Sequence, residues 1–537
     1  MVSKALQATY RERLFRHLDG IVTAPSAFSL YKKGVTTYIL DKKEVTIGDL
    51  TSTFDANEGY LNVALRLLAS QGWLVQHIDN STNTVTYSIN EHTATAFALF
   101  PLYEEVTALQ KLSENYHFRK FEVAPFKMLQ DIFSKYRNHY GITLSQDPAE
   151  KSIQEQVLAH IEGSILGPTL VHLSMNGAFH KYFMQASFRP EEFHADGENF
   201  KKLLDILTYF ELFTRKEHTY QFTDKGLFFA KRASAYGVTV SYIPTLRKLD
   251  DLLFGNALAA KSQGDGSQEG HVDRAMNVWG SGGAHATYFK VVDTIILDIF
   301  NKPIDEQPKG ILDMGCGNGA FLIHLYNLIE RHTLRGKHLD EHPLILVGAD
   351  YNQTAIDITK QNLIQAEIWA KVMWGDIGDP DRLAADLKKE YDIALGDLLN
   401  VRSFLDHNRV WKAPSTSLKE AASTSTGAFA YEGARIANND AEASLAEHFG
   451  KWSPYTGKHG LLLIELHSVP PAIAANYIGK TAVTAYDATH GYSDQFIVEV
   501  PVFHKVLDSI GMKRDEKLSK KFPNNDAATV TVNLFRH

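Results

Sequence analysis

The chain has one cysteine, Cys316, in 537 residues. No intrachain disulfide can form, which argues against a disulfide-stapled secreted fold and favours a reducing compartment. No apolar run approaches membrane-spanning length. Residues Met1 to Leu14 mix charge and apolarity without a signal-peptide core. A cytoplasmic protein with no membrane partner is expected. Excess positive charge is also lacking: the net charge is −8, so broad binding to nucleic acid is not expected. What remains is ordinary globular composition, 44% hydrophobic and 22% charged, in a chain long enough for two or three domains.

The most informative stretch is Gly310-Ile311-Leu312-Asp313-Met314-Gly315-Cys316-Gly317-Asn318-Gly319-Ala320-Phe321. It reads as a buried strand, a glycine-rich turn and the start of a helix. Gly315, Gly317 and Gly319 permit a tight turn and let a ligand approach the backbone without a Cβ in the way. The free N–H groups of the following helix point at such a ligand. The spacing G-x-G-x-G differs from the G-x-G-x-x-G of dinucleotide binders. With Asp313 it resembles the first motif of class I S-adenosylmethionine-dependent methyltransferases. Cys316, inside the turn with no activating neighbour, reads as a small structural residue.

The next strand ends support the resemblance. Leu344 to Ala349 leads to Asp350, one β-α-β unit on, where a carboxylate can accept both ribose hydroxyls. Ala370 to Trp374 leads to Gly375-Asp376-Ile377; in the family the Asp takes the adenine amino group and the Ile packs on the ring. Tyr391 to Gly396 reads as a fourth strand ending at Asp397. The expected cofactor residues are therefore Asp313, Gly315, Gly317, Asp350, Asp376, Ile377 and Asp397.

The expected fold is α/β: a Rossmann-like, seven-stranded methyltransferase domain preceded by mostly helical, winged-helix-like domains. Residues 1–100 read as a winged-helix-like domain, with an amphipathic helix from Gly59 to Gln71 and a hairpin around Asp79-Asn80-Ser81. Its recognition helix offers phosphates only Arg66, which is poor for DNA. In small-molecule methyltransferases such modules dimerise or cover the site, so a homodimer is one expectation. Residues 101–254 read as a helical lid with a second winged-helix-like module. Residues 255–270, rich in Gly and Ser, read as a loop or linker. Residues 272–537 form the expected catalytic domain. Within it the Ala-, Ser- and Thr-rich stretch from Ala413 to Thr426 is a lid or a disordered loop.

Three polar clusters follow the cofactor motifs: Val401 to Arg409, Leu461 to His467, and Ala488 to Phe496. Two or three histidines with a carboxylate or amide match first-row transition-metal ligation, although no short metal motif is present. General bases and hydrogen-bonded strand-end histidines are the alternatives. The segments Leu252 to Gly255, Asn277 to Gly282, Ala284-His285, Asp313 to Gly317, Gly348 to Asn352, Val401 to Arg409 and His490 to Gln495 resemble the mononuclear-iron methyltransferase domains of bacterial polyketide loading modules. More distantly they resemble ferric α-keto-acid C-methyltransferases. The resemblance implies iron or manganese beside S-adenosylmethionine, with Asp406, His407, His467 and Gln495 as ligands and His490 in reserve. It also implies methylation of the α-carbon of a malonyl-type acyl group on a carrier protein, or of an α-keto acid. Arg402 or Arg409 would pair with a substrate carboxylate, and Arg402, His407 and His467 are the expected catalytic residues. Asn277, Trp279, Ser281 and His285 would close over the cofactor's methionine end or pack the start of the domain. No carrier or decarboxylase domain follows, so a carrier-bound substrate is expected in trans, or else a free acid. Two other readings stand beside this one: a metal-free small-molecule O-methyltransferase with His407 or His467 as base, and a winged-helix regulator that senses S-adenosylmethionine.

Overall fold

The structure, a computed structural model, describes residues 3–112, 121–180, 184–262, 270–418 and 422–537. Residues 263–269 of the Gly/Ser-rich stretch and 419–421 of the Ala/Ser/Thr-rich one lie outside the described residues. Among the described residues no helix is long and apolar enough to cross a membrane. The chain divides into two compact units. One comprises residues 1–285, 430–435 and 470–493; the other comprises 286–429, 436–469 and 494–537.

The first unit is mostly helical. Its spine is α1 (Lys4–Lys33) against α2 (Pro148–Met175), packed through two glycines. A Cβ on Gly20 would lie 2.2 Å from His160 Cα, and one on Gly163 2.4 Å from His17 Cα. The close approach buries a polar network. Glu162 accepts from Arg13 and His17, His17 meets the Tyr236 hydroxyl at 2.7 Å, and Tyr136 donates to Glu162.

Two winged-helix-like modules are present in this unit. In the first, helices Ile47–Phe54 and Glu58–Ser70 accompany a three-stranded antiparallel sheet of Glu44–Thr46, Val75–Asp79 and Thr84–Ser88. Thr46 and Asp49 form a capping box that starts the first helix. Arg66, the lone basic residue of the second helix, is buried against Asp487. In the second module, helix Gly197–Tyr209 precedes the hairpin Phe213–Lys216 and Thr219–Phe222.

The second unit is built on one sheet. Its strands are β1 (Gly310–Met314), β2 (Ile345–Asp350), β3 (Lys371–Trp374), β4 (Leu398–Ser403), β5 (Leu461–Leu466), β6 (Lys513–Arg514), β7 (Lys520–Phe522) and β8 (Val530–Arg536). The order is β6-β8-β5-β4-β1-β2-β3, with β7 pairing on β8. Strands β1 to β5 are parallel, and β8 runs antiparallel to β5. Among the described residues the sheet thus has eight strands, one more than expected, because the short β7 adds to β8. Every residue of β1 and β5 is buried, as continuous apolar central strands require. On one face Leu312, Met314, Val347, Ala349, Leu398 and Trp452 share a core.

The fourth strand differs from expectation. Tyr391 ends a helix, Asp392 caps it at φ 57, and β4 begins only at Leu398. Leu398-Leu399-Asn400-Val401 is the apolar run that can be buried between β1 and β5; Tyr391 to Gly396, interrupted by Asp392, is not. The shift moves Asp397 from the carboxyl end of a strand to the amino end.

Gly20→Ala or Gly163→Ala should destabilise the first unit by about 3 kcal/mol, the upper end for overpacking, because backbone rather than a flexible side chain meets the added methyl. A denaturant titration of the full chain measures this.

Candidate active site at the carboxyl edge of the sheet

Strands β1 to β5 all end at one edge of the sheet, and the glycine turn opens there. Gly315, Gly317 and Gly319 have φ of 78°, 56° and 77°, values that only glycine adopts without strain. Gly315 and Cys316 N–H both donate to Ala349 O, at 2.8 and 3.1 Å. A Cβ on Gly315 would come within 2.9 Å of Leu405 Cδ2. The turn is therefore clamped between β2 and the segment after β4.

Asp350 ends β2. Its Oδ2 accepts the Gly317 N–H at 3.0 Å and its Oδ1 the Asn352 N–H at 2.9 Å, which leaves carboxylate lone pairs for a ligand. Asp376 follows β3 and accepts from Gly378 N–H; Ile377 beside it is buried. Asp313 is buried within β1. Burial, then the Asp350 charge, raises its carboxyl to about 7. The Cys316 thiol is pushed up to about 12, chiefly by burial, which suits an inert residue.

Asp397 must be withdrawn as a cofactor residue. Its carbonyl accepts the Lys309 N–H and its carboxylate pairs with Lys309 and Lys458. Lys309 precedes β1, and Gly310 pairs with Leu398 in register, so Asp397 stands at the amino edge, a full strand length from the glycine turn.

Past β4 the chain buries a dense polar cluster. Arg402, Asp406, His407, Arg409, His448 and Glu465 are all less than a tenth exposed. Arg402 Nη1 donates to Asp406 Oδ1 at 2.7 Å, and His448 Nε2 meets the same oxygen at 2.8 Å. Burial alone would raise the Asp406 carboxyl, but the Arg402 guanidinium and the His448 hydrogen bond outweigh it and hold it well below the usual range. Burial pushes His448 down, so it donates to Asp406 as a neutral ring, and Arg402 supplies the charge. Arg409, lowered by burial to about 10, remains a cation at neutral pH.

Glu465, on β5, binds both members of the Asp406-His407 pair. Its Oε2 accepts the Asp406 N–H at 3.0 Å; its Oε1 lies 2.6 Å from His407 Nδ1. A carboxylate on Nδ1 fixes that nitrogen as the donor, so Nε2 is the acceptor nitrogen, and Asn408 Nδ2 lies 3.3 Å from it. Asp406 Oδ2, Arg402 Nε and Nη2, and Arg409 Nε are buried without a hydrogen-bond partner among the described residues, so these three residues keep polar atoms able to meet a ligand.

The four expected metal ligands do not form one set. His467 Nε2 lies 2.7 Å from Thr531 Oγ1, its Nδ1 lies 3.2 Å from Val498 O, and its ring packs edge-on against Phe503. Burial lowers it to about 3. Both of its ring nitrogens are thus engaged within the protein. Gln495 is buried next to Phe496, whose N–H donates to His407 O. His490 belongs to the first unit, with Nδ1 2.7 Å from Tyr486 O. Among the described residues no group of three or more His, Cys, Asp or Glu is arranged to hold a metal. Asn277 donates to Ser241, and Trp279 packs on Gly237, both within the first unit; the side chain of His285 lies outside the described residues.

Two residues of this site carried no signal in the sequence. His448 and Trp452 lie four apart on α3 (Asn438–Thr456), so they share a helix face, but no motif marks them.

Three families match the chain in succession. One described as the AprA N-terminal domain matches residues 10–76, one described as the AprA winged helix domain matches 162–256, and the methyltransferase family described as the AprA MT2-like domain matches 269–533. The chain is a methyltransferase. No curated protein matches its sequence. Among solved structures, the methyltransferase is similar to a putative O-methyltransferase from Nostoc punctiforme at 12% identity, covering 68% of this chain and 94% of that one, with a TM-score of 0.40. It is also similar to the CurJ carbon methyltransferase at 13% identity, 70% and 93% coverage and a TM-score of 0.32. CalO1, a methyltransferase in calicheamicin biosynthesis with S-adenosylhomocysteine bound, matches at 14% identity, 72% and 99% coverage and a TM-score of 0.33. These are distant likenesses, and the substrates in those names are those of the other proteins.

The raised Asp313 carboxyl makes a prediction about the cofactor. With Asp313 read as a cofactor residue, a cationic sulfonium beside it would favour its ionised form, so binding should release a proton and tighten as pH rises from 6 to 8. Asp313→Asn should abolish this dependence. Calorimetry in two buffers of different ionisation enthalpy measures the proton release; equal apparent enthalpies in both would refute it.

Proposed function

We propose that this methyltransferase moves a methyl group from S-adenosylmethionine to the carbon next to a carbonyl. The acceptor would be a malonyl-type acyl group on a carrier protein or an α-keto acid, in polyketide or other secondary metabolism. The observation that carries the proposal is the buried His407-Glu465 pair, in the segment that clamps the glycine turn. An α-carbon must lose a proton before it can attack a methyl group. His407 Nε2, on giving up its 3.3 Å contact with Asn408 Nδ2, would accept it, and Glu465 then balances the imidazolium charge. The carbon attacks the methyl as the bond to sulfur breaks, and the sulfonium leaves as a neutral thioether. Arg402 and Arg409 put two cations beside the site, where negative charge on an acid or enolate is stabilised.

An iron or manganese ion in such a reaction polarises the carbonyl and acidifies the α-carbon. Here Asp406 Oδ2 and His407 Nε2 are donors it would find, with Gln495 nearby, but His467 is committed to Thr531 and Val498. That donor set does not fit the four-ligand expectation, and the proton transfer is assigned to His407 alone. The same dyad also suits a second reading, O-methylation, since it would take the proton of a hydroxyl as readily.

His407→Ala should lower kcat by about 10²- to 10⁴-fold, with a smaller loss in Glu465→Gln. The decisive measurement is deuterium uptake at the α-carbon of malonyl-loaded carrier protein, or of an α-keto acid, in the presence of S-adenosylhomocysteine. Uptake above background that disappears in His407→Ala supports C-methylation. Full methyl transfer to a hydroxyl with no α-exchange establishes the second reading instead.

A further inference from the structure

Trp452 joins the two halves of the candidate site. It is fully buried on α3, and its indole Nε1–H donates to Ile377 O at 2.8 Å. Ile377 belongs to the turn after β3 that is read as the adenine side. The same indole also meets the Arg402 guanidinium, which lies 3.9 Å from the centre of its ring. Arg402 in turn holds Asp406 Oδ1, with His448, one helical turn before Trp452, on the same oxygen. One rigid aromatic plate therefore touches the cofactor turn at its edge and the acceptor-side cation on its face.

Each contact is directional. An indole has a single N–H, so the bond to Ile377 sets the in-plane angle of the ring. A guanidinium stacked on a ring keeps its planar N–H fork in a plane parallel to that ring. With Nη1 committed to Asp406, the Nε and Nη2 edge of Arg402 is left unmatched and buried. The direction in which that edge faces follows the ring angle, and the ring angle follows the backbone of the turn after β3. His448 fixes the opposite side of the ion pair through Asp406, so the guanidinium has little freedom of its own.

We propose that Trp452 is a positioning residue that couples the cofactor-side turn at Asp376-Ile377 to the orientation of Arg402 toward the acceptor. This rests on reading Asp376 as cofactor-side and Arg402 as acceptor-side. Filling the turn would seat Ile377, hold the indole and present the Arg402 edge, so that cofactor binding favours acceptor binding. By reciprocity the acceptor would tighten the cofactor by the same factor.

Two substitutions separate the contacts. Trp452→Phe keeps a ring under Arg402 but loses the bond to Ile377; Trp452→Leu loses both. Cofactor Kd is read by calorimetry with and without malonyl-loaded carrier protein, together with acceptor KM and kcat. Trp452→Phe should weaken the cofactor roughly fivefold, the value of one buried hydrogen bond, and abolish the mutual tightening of the two ligands. Trp452→Leu should add a rise of roughly fivefold or more in acceptor KM, from the lost stacking, and that rise should vanish in an Arg402→Gln background. Asp376→Ala and Arg402→Gln test the underlying reading. If they weaken cofactor and acceptor respectively, while both Trp452 variants lower only the unfolding midpoint and keep every constant within twofold, Trp452 is merely structural and the coupling is refuted. If Asp376→Ala and Arg402→Gln change neither ligand, the site reading itself fails. Should Trp452→Leu not fold, Trp452→Phe alone decides the coupling.

Discussion

The buried ion pair between Arg402 and Asp406 is the constraint on which the catalytic unit depends. A carboxylate and a guanidinium with almost no exposed surface would each cost several kcal/mol if left alone, on the order of 3–5 kcal/mol for a broken pair. The chain meets this by convergence. Arg402 and His448 reach one oxygen of Asp406, Glu465 accepts its backbone N–H, and Trp452 lies under the guanidinium. Those partners come from β4, β5, α3 and the segment after β4. None of these can shift alone without stranding a charge. Rigidity at the carboxyl edge of the sheet thus follows from the expense of an unpaired ion, and His407 inherits that rigidity through Glu465.

The helical unit applies the same rule. Glu162, buried on α2, is held ionised by Arg13 and His17, both on α1. Two glycines make this network reachable, because they bring the helix backbones close enough for side chains to cross between them. Polar groups buried on facing helices fix a register more strictly than apolar contacts do, since a slip of one turn would leave several of them without partners.

The glycine turn and the acidic strand ends were legible along the chain because such motifs in a parallel sheet are local. Glycines at 315, 317 and 319 mark the turn through backbone geometry, and Asp350 and Asp376 each close a short apolar run. The reading failed where local pattern and burial disagree. Tyr391 to Gly396 has strand-like residues, yet Asp392 caps a helix there and Leu398 begins the strand. Asp397 therefore exchanged the ligand edge for the opposite one. His467 sits at a strand end beside the site, as a ligand or base would, but its ring is turned into the contact with Thr531. Sequence spacing carries no information about which way such a ring faces.

What the sequence by itself determined is the set of features written within one β-α unit: the glycine turn, the acidic strand ends, the hydrophobic periodicity of the two winged-helix-like modules and the methyltransferase class. These depend on backbone conformations and side-chain periods that span only a few residues. Only the tertiary structure decided which polar residues act together. Arg402 finds Trp452 fifty residues on, His407 finds Glu465 across two strands, and His448 reaches Asp406 from a helix with no motif. Partnerships of this kind are selected by the need to compensate charge in a buried volume, and that volume exists only after the sheet and α3 have closed around it.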